Sequence, residues 1–194
     1  MPSERAFANR ETLEIRLHGR GGQGTVTMAA LLVDAAFRSG WHAMGFPSFG
    51  SERTGAPVAA FVRLDRAPIL DRSEVRRPDV VVVQDPTFDG AVDFLGGLTS
   101  DGIVVINAAD APEDLVGDAT VVAVPVTELA IRQLGAPITS TAMLGVFAAV
   151  TGIVSIEAVA AAIRERFSGA TGERNEALAR AAFASAAVGR CVAA

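Results

Sequence analysis

Apolar and polar residues alternate through Leu13-Glu14-Ile15-Arg16-Leu17-His18, the pattern of a strand buried on one face. Four glycines within six residues follow, in Gly19-Arg20-Gly21-Gly22-Gln23-Gly24, and Thr25 to Leu32 then reads as a helix. A second strand is expected from Trp41 to Phe46. Pro47 to Pro57 has the composition of an ordered loop, with Ser51-Glu52-Arg53-Thr54 at its centre. Val58 to Leu64 is the next strand, too close to its predecessor for a crossover helix, so a locally antiparallel pairing is predicted. The β-branched runs Pro78 to Gln84 and Asp101 to Asn107 suit central strands covered on both faces, and Thr120 to Val124 is shorter. A short helix is expected over Phe88 to Leu95.

Beyond Val126 the periodicity is helical. One helix opens at Thr127 and is broken by Gly135 and Pro137. An apolar helix runs from Thr141 to Val150, another starts after Ser155 as N-cap, and an alanine-rich helix spans Glu173 to Val188. Strands alternating with helices predict a three-layer, doubly wound α/β fold, Rossmann-like, with a mainly parallel but mixed sheet and a helical C-terminal part. Residues 1–12 are expected to be a flexible arm and 13–194 a single domain.

Composition narrows the function. Half of the 194 residues are hydrophobic and the net charge is −5, which gives no electrostatic reason to expect nucleic acid. The apolar runs are too short to span a bilayer and residues 1–12 lack the apolar stretch of a signal peptide, so a soluble, cytoplasmic protein is expected. Cys191 is the sole cysteine, which leaves no all-cysteine cluster and no Cys₄ zinc site.

Candidate chemistry is concentrated in two places. A strand followed by glycines and a helix aims backbone N–H groups and a helix N-terminus at one spot, a seat for an anion. The glycines approach G-x-G-x-x-G without matching it, and no acid stands near Met44-Gly45-Phe46 to bind a ribose, which argues against the usual dinucleotide contact. The polar Ser51–Thr54 stretch falls at the carboxyl edge of the sheet, near the glycines, where Arg20 and Arg53 are candidate fork donors for phosphate or carboxylate. A solvated loop is the bland alternative. His18, beside the glycines, is a candidate ligand or partner contact, and the aspartates at strand ends read as turn residues.

Three stretches taken together resemble one family. They are Gly19–Gly24, then Ser51 to Val58 with Phe61-Val62-Arg63, then Thr141-Ala142-Met143-Leu144-Gly145, and Gly172-Glu173-Arg174-Asn175-Glu176-Ala177 closes the pattern. The chain is similar to the gamma subunit, or gamma domain, of 2-oxoacid:ferredoxin (acceptor) oxidoreductases from Leu13 to Ala187, with Ser140 departing from an expected asparagine. The resemblance implies a subunit of an enzyme that oxidatively decarboxylates a 2-oxoacid to its acyl-CoA, working with alpha, beta and ferredoxin-like delta subunits. It also implies that thiamine diphosphate, magnesium and 4Fe-4S clusters are held by those partners and that none is bound by this chain alone. The implied contribution is assembly and access to the active site, coenzyme A included, through Gly19, Arg20, Gly21, Gly22, Gln23 and Gly24 and through Ser51, Glu52, Arg53 and Thr54, with no catalytic residue of its own. A stand-alone nucleotide-binding oxidoreductase and a non-catalytic binding module are the competing classes.

Overall fold

The computed structural model describes residues 7, 10–48, 55–87, 92–111 and 119–188. Six strands are observed: β1 (Thr12–Arg20), β2 (His42–Ser48), β3 (Pro57–Asp65), β4 (Val80–Val83), β5 (Ile103–Ile106) and β6 (Thr120–Ala123). Helix α1 (Thr25–Arg38) joins β1 to β2, and α2 (Thr127–Leu134), α3 (Ser140–Thr151), α4 (Ile156–Arg166) and α5 (Gly169–Val188) follow β6. The sheet order is β2-β3-β1-β4-β5-β6. β1, β4, β5 and β6 run parallel, while β3 is antiparallel to both β1 and β2. The mixed sheet is therefore the one expected from the short β2–β3 spacing.

Leu13, Ile15 and Leu17 of β1 join Val62, Val80, Val82 and Val105 in one core with α1, α3, α4 and α5. α3 lies at the centre of this core, with Thr141 to Ala148 all buried. Val81, Val83, Val104, Ile106 and Val121 form a second core on the other face. Among the described residues this face is covered by turns bearing Phe94, Val92, Leu95 and Leu98 and not by helices. The expected helix over Phe88 to Leu95 is thus not found in its described part. Residues 92–95 are bends, because the Asp93 carboxylate accepts hydrogen bonds from Leu95 N (3.1 Å) and Gly96 N (2.8 Å) and turns the chain back. Residues 88–91 lie outside the described part.

Other boundaries move for local reasons. Pro47 and Ser48 extend β2, opposite Ala60 and Ala59, and Pro57 opens β3, so the expected loop is shorter than Pro47 to Pro57. Pro47 is tolerated because β2 is an edge strand with one hydrogen-bonding side unpaired. α5 starts four residues earlier than the alanines suggest, at Gly169. Ser155 caps α4 as expected, accepting from Ala158 N at 3.1 Å. In the N-terminal arm Phe7 is buried in the main core, and Arg10 donates to Asp79 (3.2 Å) and also bonds Asp101. No helix among the described residues is long and apolar enough to cross a membrane.

Candidate functional site

The direction in which strands are added to the sheet reverses between the parallel neighbours β1 and β4. From β1 the chain leaves through α1 toward β2 and β3, whereas β4 leads away to β5 and β6. The crevice outside the carboxyl ends of two such strands is where doubly wound sheets bind ligands. The glycine stretch lies there. Gly19 and Arg20 belong to β1, paired with Val58 and Pro57, so the turn itself is Gly21 to Gly24. Gly22 and Gly24 have φ of 99° and 84°, in the left-handed region that favours glycine. Gly24 is the N-cap of α1 and brings no side chain to cap that helix.

Two parts of the chain press on the turn. Ser140, the first residue of α3, sits so close to Gly24 that a Cβ on the glycine would lie 2.8 Å from Ser140 Oγ. The place of the departure from the family pattern is therefore in contact with the glycine loop. The β2–β3 connection meets it from the other side: Gly21 N donates to Ala56 O (2.9 Å) and Gly55 N to Gly21 O (3.1 Å). Ser51, Glu52, Arg53 and Thr54 fall outside the described residues, but the root of their loop is bonded to the glycine turn.

Arg20 does not present an open fork. Its Nε donates to Asp85 Oδ2 (3.2 Å), one terminal nitrogen to Gly55 O (3.1 Å), and the other to Thr87 Oγ1 (3.1 Å) and Thr87 O. Gln23 bonds at both ends, accepting from Arg20 N (2.8 Å) and donating to Asp85 Oδ2 (2.9 Å). Burial works to raise the pKa of Asp85, but donors from Thr87 and Gln23 and the charge of Arg20 outweigh it and hold the carboxyl below its ordinary value.

Beneath the turn lies a buried polar chain that sequence reading missed. Gln84 is fully buried. It accepts from Thr25 Oγ1 (2.6 Å), donates to Thr139 Oγ1 (3.4 Å), and receives Asn107 Nδ2 on its own carbonyl (2.8 Å). Asn107 Nδ2 also donates to Thr127 Oγ1 (2.8 Å), and its Oδ1 accepts from Val126 N (2.9 Å). These bonds tie the starts of α1, α2 and α3 to the ends of β4 and β5. The available signal was position: Gln84 and Asn107 are the first polar residues after two buried β-branched strands, at the carboxyl edge. Asp79 and Asp101, at the opposite edge, bind Arg10 and lie outside the site.

His18 is 7% exposed, its ring 5.2 Å from that of Phe94 in an edge-on arrangement, and its Nε2 is buried without a hydrogen-bond partner. Burial, assisted by the charge of Arg16 and opposed by Asp93, lowers its pKa to about 4. Arg16, two residues before on the same face, donates to the carbonyls of Phe94 and Gly96, each at 2.8 Å. His18 therefore packs against Phe94, on the face of the sheet opposite Leu17.

The other family-bearing residues are packing elements. A Cβ on Gly145 would lie 2.1 Å from Ala179 O, so the glycine lets α3 touch the α5 backbone. Thr141 Oγ1 donates to Asn175 Oδ1 at 3.0 Å across the same contact, and Asn175 donates to Thr171 O at 2.9 Å. A Cβ on Gly172 would meet Phe167 O at 2.2 Å.

Comparison with known proteins finds matches over most of the chain. The family pyruvate ferredoxin/flavodoxin oxidoreductase matches residues 14–185. The chain belongs to that family. The common gamma subunit of the pyruvate/ketoisovalerate oxidoreductases of Pyrococcus abyssi is 47% identical over 176 residues, covering 88% of this chain and 95% of that one. The crystal structure of pyruvate oxidoreductase subunit PORC from Thermotoga maritima has a TM-score of 0.79 at 34% identity, covering 91% of this chain and 97% of that one. A 2-oxoglutarate:ferredoxin oxidoreductase from Magnetococcus marinus, solved with 2-oxoglutarate, coenzyme A and succinyl-CoA bound, has a TM-score of 0.77 at 16% identity, covering 95% of this chain and 32% of that one. This chain is the gamma subunit of a 2-oxoacid:ferredoxin oxidoreductase complex. It carries one cysteine, and among the described residues no group of three or more His, Cys, Asp or Glu is placed to hold a metal.

Proposed function

We propose that this gamma subunit serves assembly of the complex and the approach of coenzyme A to its active centre. In this reading the alpha, beta and ferredoxin-like delta subunits hold thiamine diphosphate with its magnesium and the 4Fe-4S clusters, and the assembled enzyme converts a 2-oxoacid to its acyl-CoA in the cytoplasm. One observation carries the coenzyme A role: an uncapped helix N-terminus and a left-handed glycine turn meet at the reversal point between β1 and β4. Coenzyme A is rich in phosphate, and N–H groups at such a terminus favour anions. The residues fit that group. Among the described residues nothing lies within 4 Å of where a Gly22 Cβ would stand, which supports an approach of a ligand to the backbone there. Gly22 and Gly24 would hold the phosphates, with Gln23 N bonded to Arg20 O (3.0 Å) between them, and Thr25 begins the helix behind.

The sheet order speaks against a stand-alone dinucleotide enzyme. β3 separates β2 from β1, so the end of β2, where a ribose acid is sought, is not beside the glycine turn.

The Ser51–Thr54 loop is the second contributor, since its root at Gly55 is hydrogen-bonded to Gly21 and Arg20. With Arg20 held by Asp85, Arg53 is the remaining sequence-flagged cation for coenzyme A or a partner subunit. In a complex rebuilt with Arg53→Ala, the expected result is a tenfold to hundredfold loss, roughly 1.5–3 kcal/mol, in either subunit retention or the KM for coenzyme A. The KM for the 2-oxoacid stays unchanged. Wild-type assembly with unchanged kinetics for both substrates would reduce the loop to a solvated surface.

A further inference from the structure

The Asp85 carboxylate accepts four hydrogen bonds at the carboxyl edge of the sheet. Oδ2 accepts from Arg20 Nε (3.2 Å) and Gln23 Nε2 (2.9 Å), and Oδ1 accepts from Thr87 N (2.9 Å) and Thr87 Oγ1 (2.6 Å). Its donors are anchored again: Gln23 accepts from Arg20 N, Arg20 donates to Gly55 O and to Thr87 Oγ1, and Gly55 N in turn donates to Gly21 O. One carboxylate, its side chain 17% exposed, thus closes a ring of bonds through both ends of the glycine turn, the root of the Ser51–Thr54 loop and the exit of β4. Charge-assisted bonds of this kind are about twice as strong as neutral ones. A turn of four residues with three glycines has the most conformational freedom to lose on being fixed, and it contributes few side chains that fix it. Gln23 is the side chain within it, and Gln23 is held by Asp85.

We infer that Asp85 is the positioning residue of the glycine turn: it binds Arg20 and Gln23 so that the turn meets its ligand through backbone N–H groups, with Arg20 serving as a brace and not as a ligand contact. The part concerning the ligand rests on the coenzyme A reading given above.

The test is made in the assembled complex with Asp85→Asn and Asp85→Glu. Asparagine keeps an oxygen for Thr87, which preserves the 85–87 turn, but removes the charge and one acceptor facing Arg20 and Gln23. Two quantities are measured: amide hydrogen exchange at Gly21 and Gln23, and steady-state kinetics with coenzyme A and the 2-oxoacid varied separately. For Asp85→Asn the expected result is at least tenfold faster exchange at both amides and at least a tenfold higher KM for coenzyme A. kcat and the 2-oxoacid KM stay within twofold of wild type, and Asp85→Glu recovers most of the loss. Unchanged amide exchange in Asp85→Asn would overturn the positioning role. Faster exchange with an unchanged coenzyme A KM would keep Asp85 as the brace of the turn and overturn the coenzyme A reading instead.

Discussion

Replacing Gly145 by valine is expected to destabilise the isolated chain by about 3 kcal/mol or more, beyond the roughly 1–3 kcal/mol of ordinary overpacking. The reason is the neighbour. A first side-chain carbon at this position would stand 2.1 Å from the carbonyl oxygen of Ala179, a backbone atom of α5 that has no rotamer to escape into. α3 is buried along nearly its whole length, so displacing it disturbs the sheet beneath as well as α5. Parting the helices also strains the buried bond between Thr141 and Asn175. For a chain of this size the loss corresponds to a fall in Tm of about 6–12 °C. Thermal denaturation of the purified variant reads it directly, and a Tm within about 2 °C of wild type would show that the α3–α5 spacing is not set by this glycine.

The second large effect is on pH. His18 has its pKa lowered to about 4 by burial first and by Arg16 second, whereas the unfolded ring titrates near 6.5. Its neutral form is the one the fold accommodates, so unfolding takes up a proton between those values. The stability it contributes is fully present above pH 6.5 and is lost as pH falls toward about 4. The size is about 3 kcal/mol. The ring-proton NMR shift of His18 should stay flat from pH 8 to about 5, and His18→Asn should flatten the stability slope between pH 6.5 and about 4. A midpoint near 6.5 in the folded protein would contradict the buried, unpartnered ring.

Much of the fold was legible because the relevant forces are local. The alternation through Leu13 to His18 marks a strand with one face in the main core, and the unbroken valines of β4 mark one covered twice. Boundaries failed where a side chain or a neighbour overrode propensity. Asp93 turns the described end of the expected Phe88 to Leu95 helix, and pairing with β3 drew Pro47 and Ser48 into β2.

The site was legible in its backbone and much less so in its side chains. Glycines at 21, 22 and 24 announce a tight turn whatever surrounds them. Whether an arginine faces solvent or a carboxylate depends on a residue 65 positions away, and nothing in the spacing of Arg20 shows that Asp85 waits for it. Asp85 reads as an ordinary strand-end aspartate until β1 and β4 are brought side by side. Gln84 and Asn107 were hidden for the same reason, since their partners Thr25, Thr139 and Thr127 come from three different helix starts.

The central claim, that the glycine turn of this subunit seats coenzyme A, is tested most directly by a structure of the assembled complex with coenzyme A bound. Phosphate oxygens are expected within hydrogen-bond distance of the backbone N–H of Gly22, Gly24 or Thr25, with Arg20 still on Asp85. Coenzyme A lying wholly on other subunits, with no contact to residues 19–25, would contradict it.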